Sequence, residues 1–278
     1  MSTEILSDGD PQPERARRGL RIGLAQIAVN NGDKAGNLAR AGAAVAEAAG
    51  QGADMVVLPE MMLTGFPLEE MRALAEPRGG PGAEAFRRMA VENGVAVVAG
   101  YPELDETTGA VHNMTVVFSR RGAPLLHYAK THLFDSERMA ITPGATLDAM
   151  FTFEGVRFGA LCCFDIELPE TARTLALKGA QCIVVPTGNM EPWGHHHRVF
   201  IMARALENHV FVAYANQYGE GCGVRCPGES ALVDPLGRLV CDAGAGEKVL
   251  CGDMDLGLIE ESRLVFDYLR ERRPELYA

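Results

Sequence analysis

Apolar positions recur along this chain in two rhythms. The runs Leu20–Val29 (LRIGLAQIAV), Asp54–Leu58, Val95–Gly100, Met114–Ser119, Leu125–Lys130, Val156–Cys162, Cys182–Pro186 and Val210–Ala215 are short and rich in strand formers, which predicts buried strands. Between them, Asn37–Gly50 (NLARAGAAVAEAAG), Ala83–Asn93 and His197–Asn208 read as helices, the first closed by Gly50. A further amphipathic helix opens at Pro169, with Glu170 in its first turn and Ala172, Leu175 and Ala176 at helical spacing. Late strands at Glu229–Val233 and Leu239–Asp242 flank a Pro/Gly turn at 234–237, and Asp255–Arg270 reads as a closing helical arm. Residues 1–18 are polar and without periodicity and read as a mobile tail with no catalytic role, which leaves 19–278 as one domain.

Strands outnumber what a single parallel sheet would need, and hairpins mix with βα units. That pattern points to an α/β layered sandwich rather than a barrel or a doubly wound sheet. Composition narrows the class further. With 278 residues and 47% hydrophobic content the chain can bury a large core. No apolar run reaches the roughly 18 residues that span a bilayer, and no signal pattern opens the chain, so we expect a cytoplasmic protein with no membrane partner. Lys and Arg number 26 against 37 Asp and Glu, a net charge of −11, which argues against nucleic acid. The seven cysteines are odd in number and lack scaffold spacing, so reduced thiols are expected, one of them reactive.

Candidate chemistry collects at strand ends. Cys163 lies on the tight connection between the strand ending near Cys162 and the helix opening at Pro169, where a rigid strand would hold a thiol at a sheet edge beside the backbone N–H groups of the next turn. Glu60 in LPE and Lys130 in YAKTHL also follow strands. Taken singly, each has an ordinary explanation: a solvated carboxylate, a surface charge, a small core hydrophobe. In order, LPE, YxKxHL and CxDIxxPE resemble the signature of the carbon-nitrogen hydrolase (nitrilase) superfamily. Glu137 and Gly144 in FDSERMAITPG, Asn113 in HNM, MARALEN at 202–208 and ALVDPLG at 231–237 extend the likeness from Leu20 to about Tyr268. CFDIELPE, GNMEPWG and IMARALEN look most like small bacterial amidases such as R-stereoselective amidases.

The resemblance implies a four-layer αββα sandwich, a homodimer or larger assembly, and an amidase acting on small carboxamides without metal or organic cofactor. It implies Cys163 as nucleophile, Glu60 as general base and acid, Lys130 as the cation beside the tetrahedral intermediate, the Phe164 backbone N–H as the other oxyanion donor, and Glu137 as the carboxylate that orients the lysine. Hydrolysis of N-carbamoyl compounds or nitriles would use the same three groups, and an inactive interaction module is the reading from a different class. The sequence departs from the family in Ala129, where an arginine is usual, and in the CC that opens the cysteine motif.

Strand alternation would put Cys162 on the opposite face from Cys163, in the core. Asp165 and Glu167 read as structural, bonding the elbow and the helix start. Arg204 and Glu207, three apart on a helix, read as a structural pair. His195, His196 and His197 invite a metal, but adjacent histidines cannot face one ion, and Cys222 and Cys226 lack a second pair at zinc spacing, so no metal is assigned. His132, Phe134, Asn189 and Trp193 are the candidates for contact with substrate.

Overall fold

The computed structural model describes residues 19–221 and 224–277. The predicted tail at 1–18 lies outside the described residues, as does Cys222. Strand β1 (Leu20–Gln26) leads into helix α1 (Lys34–Gly50), which starts earlier than the expected Asn37 because Asp33 caps it, its side chain accepting from the Gly36 N–H at 2.9 Å. Then come β2 (Met55–Val57), the single turn α2 (Met71–Leu74) and α3 (Pro81–Asn93), with Pro81 at the start of α3 and left-handed Gly94 at its end. A meander of β3 (Ala96–Leu104), β4 (Val111–Phe118) and β5 (Pro124–Ala129) follows. The second half runs β6 (Met150–Phe153), β7 (Val156–Ala160), α4 (Pro169–Leu177), β8 (Cys182–Thr187), α5 (Gly194–Asn208) and β9 (Phe211–Asn216). It closes with the hairpin β10 (Tyr218–Gly221) and β11 (Val224–Pro227), then β12 (Ala231–Val233), β13 (Leu239–Asp242), β14 (Lys248–Met254) and α6 (Gly257–Val265).

Two six-stranded sheets form, in the orders β14-β1-β2-β3-β4-β5 and β13-β12-β9-β8-β7-β6. Period-2 alternation sorts their residues. Ile22, Leu24, Met55, Val57 and Val98 of the first sheet face Phe151, Phe158 and Ala160 of the second in one apolar layer. The intervening residues Ala25, Val56, Val97 and Ala99 turn outward onto Ala41, Val45 and Ala48 of α1 and Phe86 and Ala90 of α3. On the far side α4 and α5 cover the second sheet, with Leu175 packed so tightly on Gly159 that an added Cβ there would lie 2.8 Å from its Cδ1. The result is the expected αββα sandwich, with large aliphatic and aromatic side chains removed from water by both sheets.

Three strand regions escape the sequence pattern, and the predicted late arm is shorter. β14 follows a Gly-rich stretch and becomes a strand by pairing antiparallel with all of β1, from Leu20↔Met254 to Gln26↔Lys248. The short hairpin partners β6 and β10–β11 likewise owe their conformation to pairing. Helix α6 ends at Val265, because the Tyr268 N–H turns back to His209 Nε2 (3.1 Å) and the two rings stack at 5.8 Å. No helix among the described residues is long and apolar enough to cross a membrane.

Candidate active site

β1, β2 and β3 run parallel, as do β7, β8 and β9, and β5 runs with β3 because β4 opposes both. Side chains just beyond the C-terminal ends of such strands gather at one end of a sheet, where open α/β folds place their ligands. Glu60 follows β2, Lys130 follows β5, Cys163 follows β7, Gly188 and Asn189 follow β8, and Gln217 follows β9. The backbone joins the two sheets here: the Glu60 N–H donates to Thr187 O (3.3 Å), and Gln217 Nε2 donates to Glu60 O (3.1 Å).

Lys130, whose side chain is 0% exposed, donates to Glu60 Oε1 at 2.9 Å and to both oxygens of Glu137 at 2.8 and 2.9 Å. All three ammonium protons are therefore matched by acceptors. Burial alone would lower its pKa, but the carboxylates of Glu60 and Glu137 together outweigh that and hold it well above its ordinary value. Glu137 is fixed in turn by the Phe134 N–H (2.9 Å), and burial lifts its carboxyl above the usual range against the pull of Lys130. Glu60 is bonded asymmetrically. Its Oε1 accepts from Asn113 Nδ2 (2.8 Å), Lys130 and the Cys162 thiol (3.2 Å), whereas Oε2 accepts from the Gly188 N–H at 2.9 Å.

Cys163 is 8% exposed, at the floor of a cleft, and opens a short 3-10 turn to Glu167. Its φ is +46°, and Met61 beside Glu60 and Asp135 beside Glu137 also have positive φ, at +49° and +40°. Such backbone costs on the order of 1–3 kcal/mol per residue and persists only where surrounding contacts impose it. Burial, and next the Glu60 charge, push the Cys163 thiol well above its ordinary pKa, with Lys130 and the Gly188 N–H opposing, so the resting sulfur is a neutral thiol. Space at Gly188 is tight: a Cβ would lie 3.0 Å from the Phe66 ring, 3.1 Å from Gln217 Nε2 and 3.3 Å from Glu60 Oε2, so these side chains would have to give way by a few tenths of an ångström.

Both adjacent cysteines depart from the sequence pattern. Cys163 is not at a sheet edge but beyond the end of an interior strand, between β8 and β6 in the sheet order. Cys162 is buried in the core at 1% exposure, yet its thiol meets Glu60 rather than pointing away from it. β7 ends at Ala160, and strand alternation stops with it.

Around this cluster, Phe134, Asn189 and Trp193 line the cleft with Cys163, together with Phe164, Glu167, Met190, His196 and His197. Asn189 Nδ2 is buried without a hydrogen bond of its own; the neighbouring Tyr214 hydroxyl is engaged by His197 Nδ1 at 2.9 Å. His132 is not in this wall. Its N–H and Nδ1 both lie 2.9 Å from Asp165 Oδ1, and that contact raises its pKa. Asp165 also receives Tyr128 OH, Thr131 Oγ1 and the Cys162 N–H, so it braces the elbow. Glu167 does more than brace: it bonds His197 Nε2 at 2.9 Å while lining the cleft. Arg204 pairs with Glu207 at 3.1 Å and donates to the Ile166 and Glu167 carbonyls, holding the cysteine loop from behind. Of the histidine triplet, His195 and His196 are exposed and His197 is buried. Gly188, Gln217 and Met190 were not singled out from sequence; their positions just past predicted strands were the available signal.

A family model for carbon-nitrogen hydrolases matches residues 21–264. The chain is 40% identical over 256 residues to an (R)-stereoselective amidase of a Pseudomonas species, covering 91% of this chain and 92% of that one. It is 33% identical over 271 residues to an omega-amidase of Danio rerio, covering 93% and 96%. Among solved structures, an amidase of the nitrilase superfamily from Nesterenkonia superposes with a TM-score of 0.85 at 27% identity, over 94% of this chain and 97% of that one. One structure of that Nesterenkonia enzyme records Michael addition of acrylamide at its active-site cysteine. With strand-end Glu, Lys and Cys side chains meeting in one αββα sandwich, this chain belongs to the carbon-nitrogen hydrolase family, within the nitrilase superfamily, and is an amidase, a hydrolase of carbon–nitrogen bonds other than peptide bonds.

Proposed function

We propose that this amidase hydrolyses small aliphatic or amino-acid carboxamides to the acid and ammonia through a thioester on Cys163. The observation that carries the reading is the asymmetry of Glu60. Its Oε1 is held by three donors, while Oε2, on the Gly188 N–H that also neighbours Cys163, is the oxygen left for proton traffic.

A neutral thiol needs a base at the moment of attack. Cys163 Sγ passes its proton to Glu60 Oε2 and bonds to the amide carbon. The carbonyl oxygen becomes an oxyanion, stabilised by the nearby charge of Lys130 and by the Phe164 N–H, which lies in the first turn after the strand, where backbone donors lack helical partners. Glu60 then protonates the departing nitrogen, ammonia leaves, and the thioester remains. Glu60 next takes a proton from water, whose oxygen attacks the thioester carbon, and the thiol recovers its proton as the acid departs. Glu137 keeps Lys130 charged and aimed throughout. The sequence is complete with protein groups and water. For the assembly, Leu264 and Val265 at the end of α6, 87% and 75% exposed, supply apolar surface for a second copy of the chain.

The test is ammonia release from a panel of carboxamides, N-carbamoyl amino acids and nitriles, with wild type beside Cys163→Ala. Turnover of carboxamides by the wild type, falling about ten-thousandfold or more in the variant, is expected. Selective turnover of carbamoyl compounds or nitriles would move the substrate class, and full activity in Cys163→Ala would overturn the mechanism.

A further inference from the structure

The cleft has two lobes that meet at Cys163, Phe134 and Met190, one of about 180 Å³ and one of about 240 Å³. Because ammonia is the leaving group, whatever distinguishes one substrate from another sits in these lobes as the acyl portion. Their ionisable lining is one-sided. The larger lobe carries Glu60, Asp135 and Glu137; the smaller carries Glu167, His196 and His197. Among the described residues, no lysine or arginine lines either lobe. Lys130 stands behind the wall, wholly buried, with its protons taken by Glu60 and Glu137. On adjacent elements, Arg198 is turned to Asp242 at 2.9 Å and Arg225 to Glu191 at 3.6 Å, and Arg138, next to Glu137, is exposed and not part of either lobe's lining.

The histidines of this wall are engaged by neighbouring side chains. His197 has both ring nitrogens committed, Nε2 to Glu167 Oε1 and Nδ1 to the Tyr214 hydroxyl, each at 2.9 Å. His196 is exposed and lies against Trp193, with ring centroids 5.1 Å apart. The smaller lobe thus combines one carboxylate, Glu167, with aromatic walls from Phe134, Phe164 and Trp193. A buried charge is tolerated only against an opposite charge or matched hydrogen bonds. An acyl carboxylate entering this cleft would shed water and meet carboxylates. An acyl ammonium would meet Glu167 and aromatic faces, both of which favour a cation.

Resting on the amidase reading above, we propose that the cleft selects its acyl group by charge: carboxamides with a neutral or ammonium-bearing acyl chain are substrates, those with an acyl carboxylate are rejected, and Glu167 is the residue that favours the cation. The charge series comes from carboxamides of similar size, with butyramide neutral, β-alaninamide cationic and succinamate anionic.

In wild type at pH 7.5, kcat/KM for β-alaninamide and butyramide is expected to exceed that for succinamate at least a hundredfold. In Glu167→Gln, the ratio of β-alaninamide to butyramide is expected to fall about tenfold, chiefly through KM, and the ratio of succinamate to butyramide to rise. Each ratio is measured on one preparation, so loss of folded enzyme cancels. Should the variant not fold at all, the wild-type series alone decides. Succinamate turned over as well as butyramide would overturn the charge selection and leave the amidase reading standing. Absence of turnover with all three would sink both. Unchanged ratios in a folded Glu167→Gln would remove Glu167 from the role.

Discussion

Glu60 and Asp165 are both sealed from solvent, at 1% and 0% exposure, and both touch Cys162. Each gathers several donors, as a buried carboxylate must. Asp165 is saturated on both oxygens, Oδ2 by Tyr128 and the Cys162 N–H and Oδ1 by Thr131 and His132, and it lines neither lobe of the cleft. Glu60 is saturated on Oε1 alone, and it does line the cleft. The same functional group, at equal burial, is a brace when each oxygen takes two or more donors and a candidate proton carrier when one oxygen keeps a single donor and the residue lines the cleft.

Paired amide substitutions would test that contrast most severely. Glu60→Gln keeps the shape and removes the base, so kcat should fall about a thousandfold or more. Asp165→Asn places an N–H against donors that need an acceptor, and should cost about 3 kcal/mol of unfolding free energy, with a smaller fall in kcat. Turnover and urea denaturation on both variants check this. The comparison breaks if Glu60→Gln keeps a tenth of wild-type turnover, or if Asp165→Asn is as stable as wild type.

A smaller effect separates the two thiols. Cys162→Ala removes one donor to Glu60 Oε1 and a buried sulfur, so kcat should stay within about tenfold of wild type while stability drops by about 1 kcal/mol. Loss of all turnover on the scale of Cys163→Ala would mean that the wrong cysteine has been assigned.

The mildest probe is pH. Burial holds Glu137 above the ordinary carboxyl value of 4.5. As pH falls through its titration, Glu137 gains a proton, loses its charge toward Lys130, and kcat/KM should decline at a pH above 4.5. Burial lifts Cys163 well above 9.0, and the summed attraction of Glu60 and Glu137 carries Lys130 well above 10.5, so no loss is expected between pH 7 and 9. A pH–rate profile whose acid limb sits at or below 4.5, or that collapses by pH 9, would contradict the cluster as described.

Much of this arrangement was readable from the chain. Glu60, Lys130 and Cys163 each follow a predicted strand, a local signal that survives in sequence, while their roles, and Glu137 altogether, come from the ordered motifs that resemble the carbon-nitrogen hydrolases. The pattern of strands and helices gives a layered α/β sandwich, and the resemblance to the carbon-nitrogen hydrolases supplies its four αββα layers. The strand status of β14 was not readable, since a Gly-preceded segment with mixed polarity becomes a strand only by pairing with β1 at the opposite end of the chain. Nor was the orientation of Cys162, because alternation holds only as far as the strand continues and positive φ at Cys163 re-aims the chain. His132 looked like a wall residue by its place near Lys130, and Asp165, reached through the fold, claims its imidazole instead.

By itself, then, the sequence determined most of the elements and which reactive side chains stand at their ends, since backbone propensity and side-chain period act over a few residues. Tertiary structure alone decided which oxygen of Glu60 keeps a single donor, which thiol meets it, and that the described residues of the cleft wall carry carboxylates without a lysine or arginine. Those outcomes depend on distances between residues far apart in the chain, and hydrogen bonds and charges act across angstroms of space, whatever their separation in sequence.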